Sequence, residues 1–193
     1  FKLRAAYTGG ASRSAAGTAT IVDDGTGTKY GPGPNDTSTS SLDDDRSLSV
    51  GDLTVNEASN YAVFTVNGTA GLSVSLALEG ASGGSGIADL RSGGTLPGLE
   101  VWNGTSWVAY DGTSATIGSG GLLYVRVSTV AEQDGTYEGG ETFKLRAAYT
   151  GGASRSVVGT ATIVDDGTGT KYGPGPNDTS TSSLDDDRSL SVG

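Results

Sequence analysis

The 193 residues include no cysteine, no histidine and no methionine. Without cysteine there is no disulfide, no thiolate nucleophile and no thiolate metal site. Without histidine the commonest general base and the commonest zinc ligand are missing, which excludes Ser–His–Asp and Cys–His machinery. No run of about 18 apolar residues occurs, so no membrane-spanning helix is expected. No signal peptide is visible, and the lack of methionine even at position 1 predicts a processed chain or an excerpt from a longer one. Positive charge is also scarce. Twelve basic residues face 22 acidic ones for a net charge of −10, which argues against nucleic acid as a partner.

What the chain has instead is glycine, 33 residues of it, with only 34% hydrophobic residues. Glycine and β-branched residues weaken helices, so this balance predicts short strands joined by tight turns. A long repeat dominates the rest. Residues 1–51 return as residues 143–193, offset by 142, and only Ala15 and Ala16 change, to Val157 and Val158. A period of this length suits a complete domain rather than a solenoid unit. The organisation expected is a slice of a tandem array. Residues 1–24 are the C-terminal strands of a preceding repeat, and 25–46 form an acidic linker rich in Gly, Pro, Ser and Thr. Residues 47–166 are a complete domain, and 167–193 are a linker with the start of the next repeat. One body has one slot for the duplicated strands. The later copy should fill it, because it continues directly from the body and avoids a loop closure.

The apolar residues alternate. "YAVFTV" (61–66) and "LSVSLAL" (72–78) each put one set of side chains inward, the second through Leu72, Val74, Leu76 and Leu78. "LEVW" and "SWVAY" flank an Asn-Gly turn, a strong hairpin signal. "LLYVRVSTV", "TFKLRAAY" and "VVGTATIV" complete the set. No stretch has helical periodicity, and the fold class expected is an all-β, antiparallel, immunoglobulin-like β-sandwich.

Acidic residues cluster where these strands end. Glu57 lies in "VNEAS"; Glu132, Asp134, Glu138 and Glu141 lie in "AEQDGTYEGGETF"; Asp165 and Asp166 close the last strand. A sandwich gathers its loops at two poles, and convergence of these groups would force like charges together. Ca²⁺ relieves that conflict, with roughly 6–8 oxygen ligands drawn from carboxylates and carbonyls; Mg²⁺ retains its waters and demands stricter geometry. Further acids lie in the linkers: Asp23, Asp24, Asp43, Asp44 and Asp45, and their copies Asp185, Asp186 and Asp187. An ion is expected to bridge them to the closing Asp-Asp of the preceding domain.

The segments "VNEASNYAVFTV", "EGGETFKL" and "GTATIVDDG", in that order, resemble the Calx-β motif over roughly residues 48–166. The resemblance implies a seven-stranded sandwich that binds Ca²⁺ at one end. It places ligands at Glu57, Asp134, Glu138, Asp165 and Asp166, with Glu132 and Glu141 as further candidates. "GASGGSGIADL" departs from the family, having Leu90 where an aromatic residue belongs, so Asp89 is a weaker candidate. Near-identical repeats and the acidic linker make the array similar to the extender regions of giant bacterial RTX-type surface adhesins. That resemblance implies an extracellular, cell-surface location and a structural role. Partners would be neighbouring repeats, with head-to-tail self-assembly a minority possibility.

Other signals are weaker. Asn-x-Thr triplets at Asn35, Asn67, Asn103 and Asn177 are attributed to chance in a Gly/Thr-rich chain. Trp102 and Trp107, five residues apart, could fall on opposite faces of their hairpin, one of them open to a sugar. The alternative function is accordingly a glycan- or protein-binding module. Adjacent acids could suggest a glycosidase. Asp165 and Asp166 point to opposite sides of an ideal strand, however, and no enzyme is expected.

Overall fold

The computed structural model describes residues 1–9 and 13–189. Its contacts divide the chain into two units, Phe1–Arg46 and Ser47–Gly193. Unit 1 contains a hairpin of β1 (Lys2–Ala6) and β2 (Ser14–Thr18), and a two-residue ladder of β3 (Lys29–Tyr30) and β4 (Thr37–Ser38). Nearly all of its residues are exposed.

Unit 2 is an immunoglobulin-like β-sandwich. In chain order its strands are β5 (Leu48–Val50), β6 (Leu53–Asn56), β7 (Tyr61–Gly68), β8 (Ser73–Glu79), β9 (Glu100–Trp102), β10 (Trp107–Ala109) and β11 (Ala115–Thr116). β12 (Leu122–Ser128), β13 (Glu141–Tyr149), β14 (Ser156–Val164), β15 (Lys171–Tyr172) and β16 (Thr179–Ser180) follow. One sheet has the order β10-β9-β12-β7-β5 and the other β11-β8-β13-β14-β6. Between them lies a core of alternate side chains from both, with Phe64 and Phe143 edge to face at 5.8 Å. Val74 and Leu76 are buried as the alternation requires, and Leu72 and Leu78 pack against the core from its margin.

The first strand changes sheets. β5 pairs antiparallel with β7, and after Gly51 and Asp52 the chain continues as β6, which pairs parallel with β14. The crossover is close. A Cβ at Gly159 would lie 2.5 Å from Val50 Cγ1 and 2.8 Å from the Gly51 carbonyl oxygen. The Thr160 amide donates to Asp52 Oδ1 at 2.7 Å, which pins the bend. The ladders of the sandwich are therefore antiparallel except for that of β6 with β14, and the isolated bridges Val55–Thr170 and Ile87–Thr142 are parallel as well.

The segment after β14 folds back onto the sandwich. Thr170 pairs with Val55 on the free side of β6, and the partly buried Tyr172 packs against the core. The Tyr172 amide donates to Ser59 Oγ, and Trp107 Nε1 donates to the Pro174 carbonyl. Trp102 and Trp107 are direct cross-strand partners with rings 5.3 Å apart, so they share one face. The expectation of opposite faces counted separation along the chain; in an antiparallel pair the residues directly opposite point the same way.

Candidate metal centre

At one pole of unit 2 three segments meet: the turn after β6, the residues between β12 and β13, and the end of β14. The chain leaves β12 through a short 3₁₀ turn at Val130–Glu132, held in place by Thr129 Oγ1 and Gln133 Nε2, which both donate to the Ser59 carbonyl. The Asp134 amide donates to Glu57 Oε1 at 2.7 Å, and the Glu138 amide donates to Asp165 Oδ2 at 2.7 Å. Glu57 of the first segment and Asp165 of the third thus each fix the backbone of the second.

Two carboxylate groups result. Glu57, Asp134 and Asp187 each place an oxygen within 4.8 Å of the others, and so do Glu132, Glu138 and Glu141. Glu57, Glu132, Glu138, Glu141 and Asp165 also line one small hollow. Glu57, Glu132 and Asp165 are buried. Among the described residues, the buried side-chain oxygens without a hydrogen-bond partner are Asp165 Oδ1 and Asp187 Oδ2, both at this pole.

The crowding perturbs the acids. Burial, reinforced by the charges of Asp134, Asp185 and Asp187, pushes Glu57 up to about 7. Burial, together with the hydrogen bond and charge of Glu141, pushes Glu132 up to about 8. Glu138 is raised first by the charge of Glu141, and Asp187 first by burial. Burying several carboxylates is costly unless a cation compensates them. A donor set made only of carboxylate oxygens suits a hard cation of the Ca²⁺ type.

The remaining candidates lie elsewhere. Asp166 Oδ1 accepts from the amide and hydroxyl of Thr168, and Asp186 forms a two-pronged pair with Arg188 at 2.7 and 2.8 Å. Both are held below the ordinary carboxylate range, Asp166 first by Thr168 and Asp186 first by Arg188. Their copies in unit 1 repeat the pattern: Asp24 accepts from Thr26, and Asp44 pairs with Arg46. Asp23, Asp43 and Asp45 lie in unit 1, and neither carboxylate group includes them. Asp185 contributes its backbone, donating to Asn56 Oδ1 and accepting from Asn56 Nδ2. Asp89 pairs with Arg91 at 2.7 Å and is held down to about 2 by that bond.

Asn56 escaped the reading of the sequence. Fully buried, its amide donates to the carbonyls of Val164, Thr168 and Asp185 and accepts from the amides of Ala58 and Asp185. It moors the returning linker to the pole, together with the Asp187 amide, which donates to the Asp165 carbonyl. Its position inside "VNEAS", next to Glu57, was the available signal.

No family profile matches the chain, and no curated protein matches it. Solved structures similar in part include the two that follow. AggA, the major subunit of aggregative adherence fimbriae type I from Escherichia coli, is 21% identical, with 63% of this chain and 95% of that one covered and a TM-score of 0.38. The periplasmic chaperone SfaE is 10% identical, with 61% and 56% covered and a TM-score of 0.34. The class is set by the chain's own architecture: an immunoglobulin-like β-sandwich with a partly buried acidic pole. Among the described residues, no helix is long and apolar enough to cross a membrane.

Proposed function

We propose that the chain is a calcium-stabilised extender repeat of a long bacterial surface adhesin or extracellular fibre, related to the Calx-β domains it resembles. The observation that carries this reading is the convergence of Glu57, Asp134 and Asp187, with Asp165 beside Glu57 in the same hollow and one buried, partnerless carboxylate oxygen on each of Asp165 and Asp187. In calcium these oxygens become ligands. Glu132, Glu138 and Glu141 would hold a second ion. Asp187 comes from beyond the linker, so the first ion would fasten that segment to the body as well as stabilise the body itself.

The near-perfect repeat supports an extender over a recognition module, because identical copies add length but no new specificity. The aromatic face supports the same choice. Arg126 lies 4.0 Å from the centre of the Tyr61 ring and 4.6 Å from that of Trp107, and Trp107 is already bonded to the chain's own linker.

Thermal unfolding with calcium and with chelator tests the proposal. For one site absent from the unfolded chain, the gain is about 2.7 kcal/mol when free ion is 100 times the dissociation constant. Asp165→Asn should remove most of that gain. Asp111→Asn should leave it intact, since Asp111 accepts from Thr113 in an exposed turn. Equal midpoints in calcium and chelator would overturn the reading.

A further inference from the structure

The first 46 residues carry an apolar face whose partner can be identified from the second copy. Leu3, Tyr7 and Ile21 are 72%, 76% and 84% exposed, whereas Leu145, Tyr149 and Ile163, at the same places in the repeat, are 0%, 7% and 4% exposed. Phe1 and Tyr30 are open as well; Phe143 is buried against Phe64, and Tyr172 packs on the core. Secondary structure follows the same rule. β14 runs through Val164 alongside β6, but β2 ends at Thr18, and residues 19–22, the copies of those paired with β6, form no strand.

A hollow of about 460 Å³ in unit 1 sharpens the comparison. Its lining includes Val22, Thr26 and Asp43, the copies of Val164, Thr168 and Asp185. Those three residues are the ones bonded by the buried Asn56 side chain. The hollow thus has on its wall the copies of the three residues whose carbonyls accept from Asn56.

We infer that unit 1 is the closing piece of a second sandwich. Its apolar face seats on another body of the sequence type of residues 47–142, joined ahead of Phe1 in the same polypeptide. The repeat register supports that connection, because Phe143 follows Thr142 within β13 and a body placed ahead of Phe1 has no loop to close. The body of unit 2 is not the partner, since β13 and β14 occupy its slot between β8 and β6. Seated there, β1 pairs with a strand equivalent to β8, and residues 19–22 pair with one equivalent to β6. An asparagine then enters the hollow, and Asp23 and Asp45 join acids equivalent to Glu57 and Asp134. The seating is apolar and does not depend on the calcium reading, so it is tested in chelator.

Amide hydrogen exchange on the 193-residue chain should show Leu3, Ala5 and Tyr7 exchanging at least about a hundredfold faster than Leu145, Ala147 and Tyr149. In a chain with a second copy of residues 47–142 fused ahead of Phe1, the two sets should become equally protected. Leu3→Asp should abolish protection of the added body in that longer chain and leave the melting of unit 2 unchanged. Fast exchange at residues 3–7 in the longer chain, with the added body folded or unfolded, overturns the inference. So does protection in the 193-residue chain as a monomer, which would make unit 1 self-sufficient. Protection there that grows with dimer mass in sedimentation also overturns it, in favour of strand exchange between chains.

Discussion

Glu57 and Glu132, pushed to about 7 and about 8 mainly by burial, make the acidic pole a source of pH dependence with a definite sign. Both ionise at about 4.3 in an unfolded chain. Between that value and their folded values, the native state holds more protons than the unfolded state, so stability falls as pH rises. In chelator the melting midpoint should therefore decline from pH 5 to pH 8. In calcium the ligands are already deprotonated, and the decline should flatten or reverse. Calcium binding near pH 7 should also release protons, measurable as a buffer-dependent binding enthalpy. A midpoint in chelator that rises across this range would contradict the assignment. At the same scale, Asp187→Asn should weaken calcium binding, whereas Asp166→Asn should not, since its Oδ1 is engaged by Thr168.

Strand faces were legible because side-chain alternation is local. β7 buries Ala62, Phe64 and Val66 on one face, with Val63 buried on the other, and β8 buries Val74 and Leu76. Partners were less legible. Nothing in "LSVGDLTVN" signals that its halves join different sheets, or that β6 runs parallel to β14. That choice depends on the approach permitted at Gly159, 108 residues after Gly51. Gly159→Ala should cost about 1–3 kcal/mol, because its Cβ meets the bend and neither strand can retreat without losing its ladder. The acids' convergence was readable from their placement at strand ends. Asp187's membership of the first group was not, because it depends on the linker folding back, with Asn56 gripping the Asp185 backbone and the Asp187 amide donating to the Asp165 carbonyl. Asn56→Ala would strand the Asp185 and Ala58 amides and the Thr168 carbonyl, and should lower stability by about 2–4 kcal/mol. Tyr149→Phe is a milder test at this scale. Its hydroxyl accepts from the Thr69 amide and donates to the Ser47 carbonyl, so the loss should be about 1–2 kcal/mol.

For the molecule as a whole, composition suggested a domain ending with its last strand at Asp166, followed by a linker with little to pack. Tyr172, Pro174 and Asp187 instead give that linker a fixed place on the sandwich. Glycine makes the return possible. Gly169 has φ +85°, and a Cβ there would lie 2.7 Å from the Asn56 amide nitrogen. A chain cut after Asp166 should melt below one cut after Arg188, and the gap should widen in calcium, since the shorter chain lacks Asp187. The parallel pairing of β6 with β14 has a mechanical consequence. β6 enters from the pole opposite the acids, and β14 leaves at the acidic pole, so tension applied through the two ends drags these strands past one another lengthwise. Their hydrogen bonds then share the load and must break together, instead of opening one at a time like a zipper. Asp187, placed beyond β14 and grouped with Glu57 at the end of β6, would put a cation held there in the same line of force. Pulling on single molecules should give a rupture force that drops when calcium is chelated and drops further with Asn56→Ala.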